Sequence, residues 1–103
     1  MTLAPERHPL DVRGDGFFFE DITAGIHASG FGEVGDGRTF SFHIERQLLV
    51  VEVYRPRLSG PVPHAEDVVA TASRGLVDID VTDERSIAAA VRDAVFAAQP
   101  ISR

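Results

Sequence analysis

The chain has 103 residues, 44 % of them hydrophobic, with sixteen acidic against ten basic residues and a formal net charge of −6. That is enough for one domain with a packed core, and the acidic balance excludes a nucleic-acid backbone as partner, since phosphates need a basic patch. All ten basic residues are arginine and cysteine is absent, which removes Schiff-base and P-loop lysines, disulfides, thiol nucleophiles and cysteine-bound metal.

Residues 1–16 place Pro5, Pro9, Gly14 and Gly16 among charges and read as a flexible lead-in to a single α+β domain over 17–103. They lack the apolar core of a signal peptide, and no apolar run approaches membrane-spanning length, so a cytoplasmic location without membrane contact is expected. Phe17, Phe18 and Phe19 follow. Adjacent phenylalanines point to both faces of a strand, so they fit a strand covered on two sides or a loop that plugs a core. Residues 26–34 read as a strand weakened by Gly30 and Gly32, with its register open. Opposing Phe31 to Phe42 is one solution, and a one-residue slip is the other. Gly35-Asp36-Gly37 supplies the turn that follows.

Arg38 to Arg55 is the most legible stretch. Phe40, Phe42 and Ile44 alternate with polar residues, and Leu49, Val51 and Val53 alternate after them. With Arg46 and Gln47 as the loop, Ile44 faces Leu49, Phe42 faces Val51 and Phe40 faces Val53. The opposite face then holds His43, Glu45 and Glu52, but also Leu48, Val50 and Tyr54, and half-apolar surface of that kind requires a cover. Pro56, Gly60, Pro61 and Pro63 mark a crossover loop. Residues 68–81 read as strand in two pieces divided near Gly75, the second carrying Val77, Ile79 and Val81. Thr82 or Asp83 caps a helix from Glu84 to about Ala98, whose Ile87, Ala90, Val91, Ala94, Val95 and Ala98 form one stripe. Pro100 ends it. The expected fold is α+β: a four-stranded, possibly five-stranded, mainly antiparallel sheet with one C-terminal helix on one face.

Catalytic signatures are sparse. No serine lies in a G-x-S-x-G elbow, Asp78 with Asp80 reads as a solvated face, and Arg55 with Arg57 as loop charges that can receive a carboxylate. A histidine flanked by carboxylates can act as a base or bind a ligand, which makes His27, His43, Glu45 and Glu52 a candidate ligand-binding set. The same residues also read as a sheet histidine bonded to its neighbour. No catalytic residue, metal or cofactor is expected. The leading expectation is a non-catalytic protein-interaction domain of adaptor, inhibitor or immunity type, acting through His43, Leu48, Val50, Glu52 and Tyr54, either as a homodimer or on a protein partner. The alternative is a small-ligand-binding or enzymatic domain with its pocket beside the glycine-rich strand.

Overall fold

The computed structural model of the chain describes residues 16–58 and 60–101. Apart from Gly16, the lead-in expected over 1–16 lies outside them. An antiparallel sheet runs in chain order through β1 (Phe18–Thr23), β2 (Ser29–Glu33), β3 (Thr39–Glu45), β4 (Leu48–Tyr54), β5 (Val68–Gly75) and β6 (Gln99–Pro100), with one helix, α1 (Glu84–Ala97), between β5 and β6. The α+β class matches the sequence reading, but there are six strands rather than four or five. Phe18–Thr23 forms a full edge strand, and the chain leaving the helix adds a two-residue strand that pairs Gln99 with Thr71 and Pro100 with Ala70.

The β3–β4 hairpin takes the register that its alternation requires, pairing Phe40 with Val53, Phe42 with Val51 and Ile44 with Leu49. Arg46 and Gln47 both have positive φ, 52° and 64°. This is the two-residue turn whose twist matches that of the strands. The inner face is filled by Phe17, Phe19, Phe40, Phe42, Leu49, Val51 and Val53, which meet Ile87, Val91 and Val95 of α1 in one core. Phe17 stacks on Phe40 at 4.9 Å, and Phe19 stands edge-on to Phe17, Phe40 and Phe42 at 5.4, 5.4 and 6.1 Å. These are the offset and perpendicular geometries favoured by ring quadrupoles.

The register of β2 is the second of the two that its sequence allows. Phe31 pairs with Ser41, not Phe42, and Gly30 and Gly32 lie opposite Phe42 and Phe40. An ideal Cβ on Gly30 would come within 2.7 Å of the Phe42 ring, and one on Gly32 within 2.9 Å of the Phe40 ring. The two rings therefore lie across bare backbone, and the slip that turns Phe31 outward is the one the core accommodates. In β1 the pairing shifts between Phe19 and Asp21, so Glu20 is the extra residue of a bulge.

The second piece of the 68–81 strand is absent. After Gly75 the chain makes turns closed by Ile79 N–H to Leu76 O (3.1 Å) and Asp83 N–H to Asp80 O (3.0 Å). Asp80 Oδ1 accepts from the Thr82 N–H at 3.0 Å and the Thr82 hydroxyl at 2.6 Å, and these bonds hold its carboxyl below the usual range. Short polar side chains bonding their own backbone override strand-like alternation. Asp83 caps α1 by accepting from the Arg85 N–H at 3.1 Å. Of the stripe read from the sequence, Ile87, Ala90, Val91, Ala94 and Val95 form the buried face of the helix, widened by Ala88, while Ala98 is its half-buried C-cap. Among the described residues no helix is long and apolar enough to cross a membrane.

Candidate functional site

With the helix on the inner face, the outer face is organised by the register into rows. One row runs Asp21, Phe31, Ser41, Glu52, Thr71. The row beside it runs Phe18, Glu33, Thr39, Tyr54, Val68, and the row on the other side runs Thr23, Ser29, His43, Val50, Ser73. Glu45 pairs with Leu48 at the hairpin end. The five residues expected to form an interaction surface, His43, Leu48, Val50, Glu52 and Tyr54, therefore share one face, but their environments differ. Leu48 is 41 % exposed and Val50 half-buried, whereas Tyr54 is only 8 % exposed.

The cover over Tyr54 comes from the chain itself. Between β4 and β5, Leu58, Pro61, Val62 and Pro63 lie on the outer side and form one wall of a groove of about 610 Å³. Glu20, Phe31, Thr39, Ser41 and Tyr54 of the sheet line the same groove. A cover that sequence reading did not find is thus present at one end of the face. Its signal was Leu58 and Val62, two apolar side chains set among prolines. The base of the loop is clasped. The Arg55 N–H donates to Asp67 O at 2.9 Å, and its Nε and terminal nitrogen reach Asp67 Oδ1 at 2.9 and 2.7 Å. Asp67 Oδ2 accepts from the His64 N–H at 2.9 Å. The carboxylate that Arg55 was free to receive is therefore internal, and Asp67 is fully buried.

At the groove floor the Ser41 hydroxyl lies 2.7 Å from the Tyr54 hydroxyl, which donates to Glu52 Oε1 at 3.1 Å. Burial, aided by the charge of Glu52, pushes the Tyr54 phenol above its ordinary value. A group raised on folding leaves stability intact below its unfolded pKa and withdraws it above. Stability measured by chemical denaturation is therefore expected to fall as pH rises past 10.0, the unfolded reference, and Tyr54→Phe is expected to remove that part of the fall. Ultraviolet titration reads this group alone, because the chain has one tyrosine.

The candidate ligand set is not brought together. His43 Nε2 lies 3.0 Å from Glu45 Oε1, both exposed, and this hydrogen bond holds the Glu45 carboxyl below its usual value. Glu52 is engaged by Tyr54 instead. His27 sits exposed in the β1–β2 turn, beside a hollow shared with Ile26, Ile44 and Gln47. Among the described residues no three histidine or carboxylate side chains converge as metal ligands. A second hollow, of about 680 Å³, runs along the edge of β5 beside the end of α1. It is lined by small side chains such as Ala72, Ser73, Ala94 and Ala97, and by no aromatic residue. The groove under the loop offers aromatic, aliphatic and hydrogen-bonding groups at once, which makes it the better candidate. The chain matches no protein-family model, no curated protein and no solved structure.

Proposed function

We propose that this protein is a small non-catalytic interaction domain, of adaptor, inhibitor or immunity type, that works through the outer face of its sheet. One observation carries the reading: the helix occupies the inner face, yet rigid strands hold Phe31, Leu48 and Val50 outward, and the 55–67 loop shelters only the Tyr54 end. Apolar side chains fixed on strands lose little conformational entropy on binding, which suits them to a docking surface.

Two forms of the interaction are open to this face, a second copy and a different protein. Face-to-face pairing of two copies brings together two faces that each carry Asp21, Glu33, Glu45 and Glu52, and like charges across an interface oppose association. A different protein is the favoured partner. Light scattering across concentration, with Val50→Glu and Tyr54→Ala beside wild type, tests the reading together with pull-down using the tagged chain. Wild type is expected to recover a partner that Val50→Glu loses. A monomer unchanged by either substitution, with no partner recovered, would overturn the proposal.

A further inference from the structure

We infer that the groove between Phe31 and the Leu58–Pro63 loop holds a basic side chain, arginine or lysine, from an extended and otherwise apolar segment of a partner protein. This rests on the outer face being the interaction surface and adds the chemistry of what docks there.

The walls set the shape of the occupant. Phe31 is 49 % exposed and Val62 61 % exposed, so the groove has two apolar lips, with the Tyr54 ring, Leu58, Pro61 and Pro63 between them. The charge distribution sets its sign. On the outer face the strands carry Asp21, Glu33, Glu45 and Glu52 and no arginine, and Glu20 of the bulge lines the groove itself. Among the described arginines, Arg46 lies in the β3–β4 turn at the far end of the face, where its charge acts on Glu45, Arg85 lies in α1, and none lines the groove. Arg38 is held by Asp36, Arg55 by Asp67 and Arg74 by Asp78, while Arg92 stands over the Phe17 and Phe96 rings. Arg57 belongs to the loop but does not line the groove. A cation entering beside Phe31 therefore meets an aromatic face with carboxylates at Glu20 and Asp21 within its row or the bulge next to it. Ring quadrupole and carboxylate attract it together.

A small organic cation would fill the groove and leave Leu48 and Val50 wet. An extended segment with apolar neighbours covers both, and so it is the occupant favoured here. Its cationic residue gives register and orientation, and its apolar residues supply buried area.

The test uses the full chain and defined synthetic peptides with a single arginine flanked by leucines two residues away, so that both side-chain types share one face of an extended segment, with versions carrying glutamate for arginine or serine for leucine. Binding is followed by calorimetry at low and high salt, and the contacted residues are located by amide chemical-shift changes. The leucine–arginine peptide is expected to bind, both control peptides to bind at least about tenfold more weakly, and added salt to weaken the complex. Glu20→Lys and Phe31→Ser, both at exposed positions, are each expected to weaken it about tenfold while leaving thermal unfolding little changed. Asp93→Lys, which makes the same charge change on α1, is expected to have no such effect. Equal weakening by Asp93→Lys would mean that net charge alone attracts the peptide and would overturn the inference. Shift changes confined to His43, Leu48 and Val50 would also overturn it while sustaining the wider interaction reading. Equal binding of the glutamate peptide, or no binding of any peptide, would refute the cationic occupant. Concentration-dependent dimers that bury Phe31 would identify a second copy instead and count against it as well. The wider reading is decided separately by its own pull-down.

Discussion

Gly32→Ala is expected to cost about 3 kcal/mol or more of folding stability, which for a domain of this size lowers the unfolding midpoint by about 12 °C or more. The reason is a collision with backbone. A Cβ at Gly32 would overlap the Phe18 carbonyl oxygen and approach the Phe19 Cα to 2.8 Å. The Phe40 ring, 2.9 Å away, is itself wedged against Phe17 and Phe19. Neither neighbour can yield cheaply: moving β1 breaks its pairing with β2, and moving the ring opens the stacked cluster. Gly30→Ala is expected to behave alike, for the same added atom would overlap the Asp21 carbonyl oxygen. Gly75→Ala supplies the control. Nothing lies within 4 Å of its added methyl group, so it is expected to be near neutral. Thermal unfolding of the three variants checks the contrast, and equal losses at 32 and 75 would contradict it.

The Arg55–Asp67 clasp is expected to show an unequal pair of losses. Asp67 is fully buried, whereas the Arg55 side chain is 44 % exposed. Removing the guanidinium in Arg55→Ala takes two charge-assisted contacts from a carboxylate that water does not reach, an effect of about 3 kcal/mol. Removing the carboxylate in Asp67→Ala lets the guanidinium turn to water, and the main loss is the bond to the His64 N–H, about 2 kcal/mol. Denaturant titration at neutral pH measures both. Amide exchange is expected to quicken across 55–67 in either variant, because the backbone bond from Arg55 to Asp67 closes the same loop. Equal stability losses would show that the Arg55 guanidinium, like the Asp67 carboxylate, has no good alternative in water.

The parts of this fold that could be read from sequence are those in which side chains declare their own face. In β3 bulky apolar and polar residues alternate without exception from Phe40 to Ile44, and setting that face against Leu49, Val51 and Val53 of β4 gave the hairpin register. The helix announced itself by its cap and its stripe. Strand β2 did not, because Gly30 and Gly32 occupy the inward positions and carry no side chain to mark them. The phenylalanine between them then read equally well either way, and its outward direction depends on rings that belong to a neighbouring strand. The 77–81 segment misled for the opposite reason. Its alternation is genuine, but Asp80, Thr82 and Asp83 make their hydrogen bonds locally, and Val77 stays fully exposed. The outer face was recognised from Leu48, Val50 and Tyr54, while the groove depends on a loop whose Leu58 and Val62 have no periodicity to betray them. Strand β6, at two residues, is too short to leave a pattern.

Every strand from β1 to β5 pairs with its neighbour in sequence. Hydrogen bonding therefore forms the sheet as a series of local steps, and nothing in the ladder itself ties its first strand to its last. That tie passes through the helix, where Phe96 meets Phe17 at 5.7 Å, and through the bond from the Gly25 N–H to Val81 O at 2.6 Å. The closing of α1 over the ribbon is thus the step that must span the chain, so the cooperativity of the sheet rests on the core that Phe17 and Phe19 share with Ile87, Val91 and Val95.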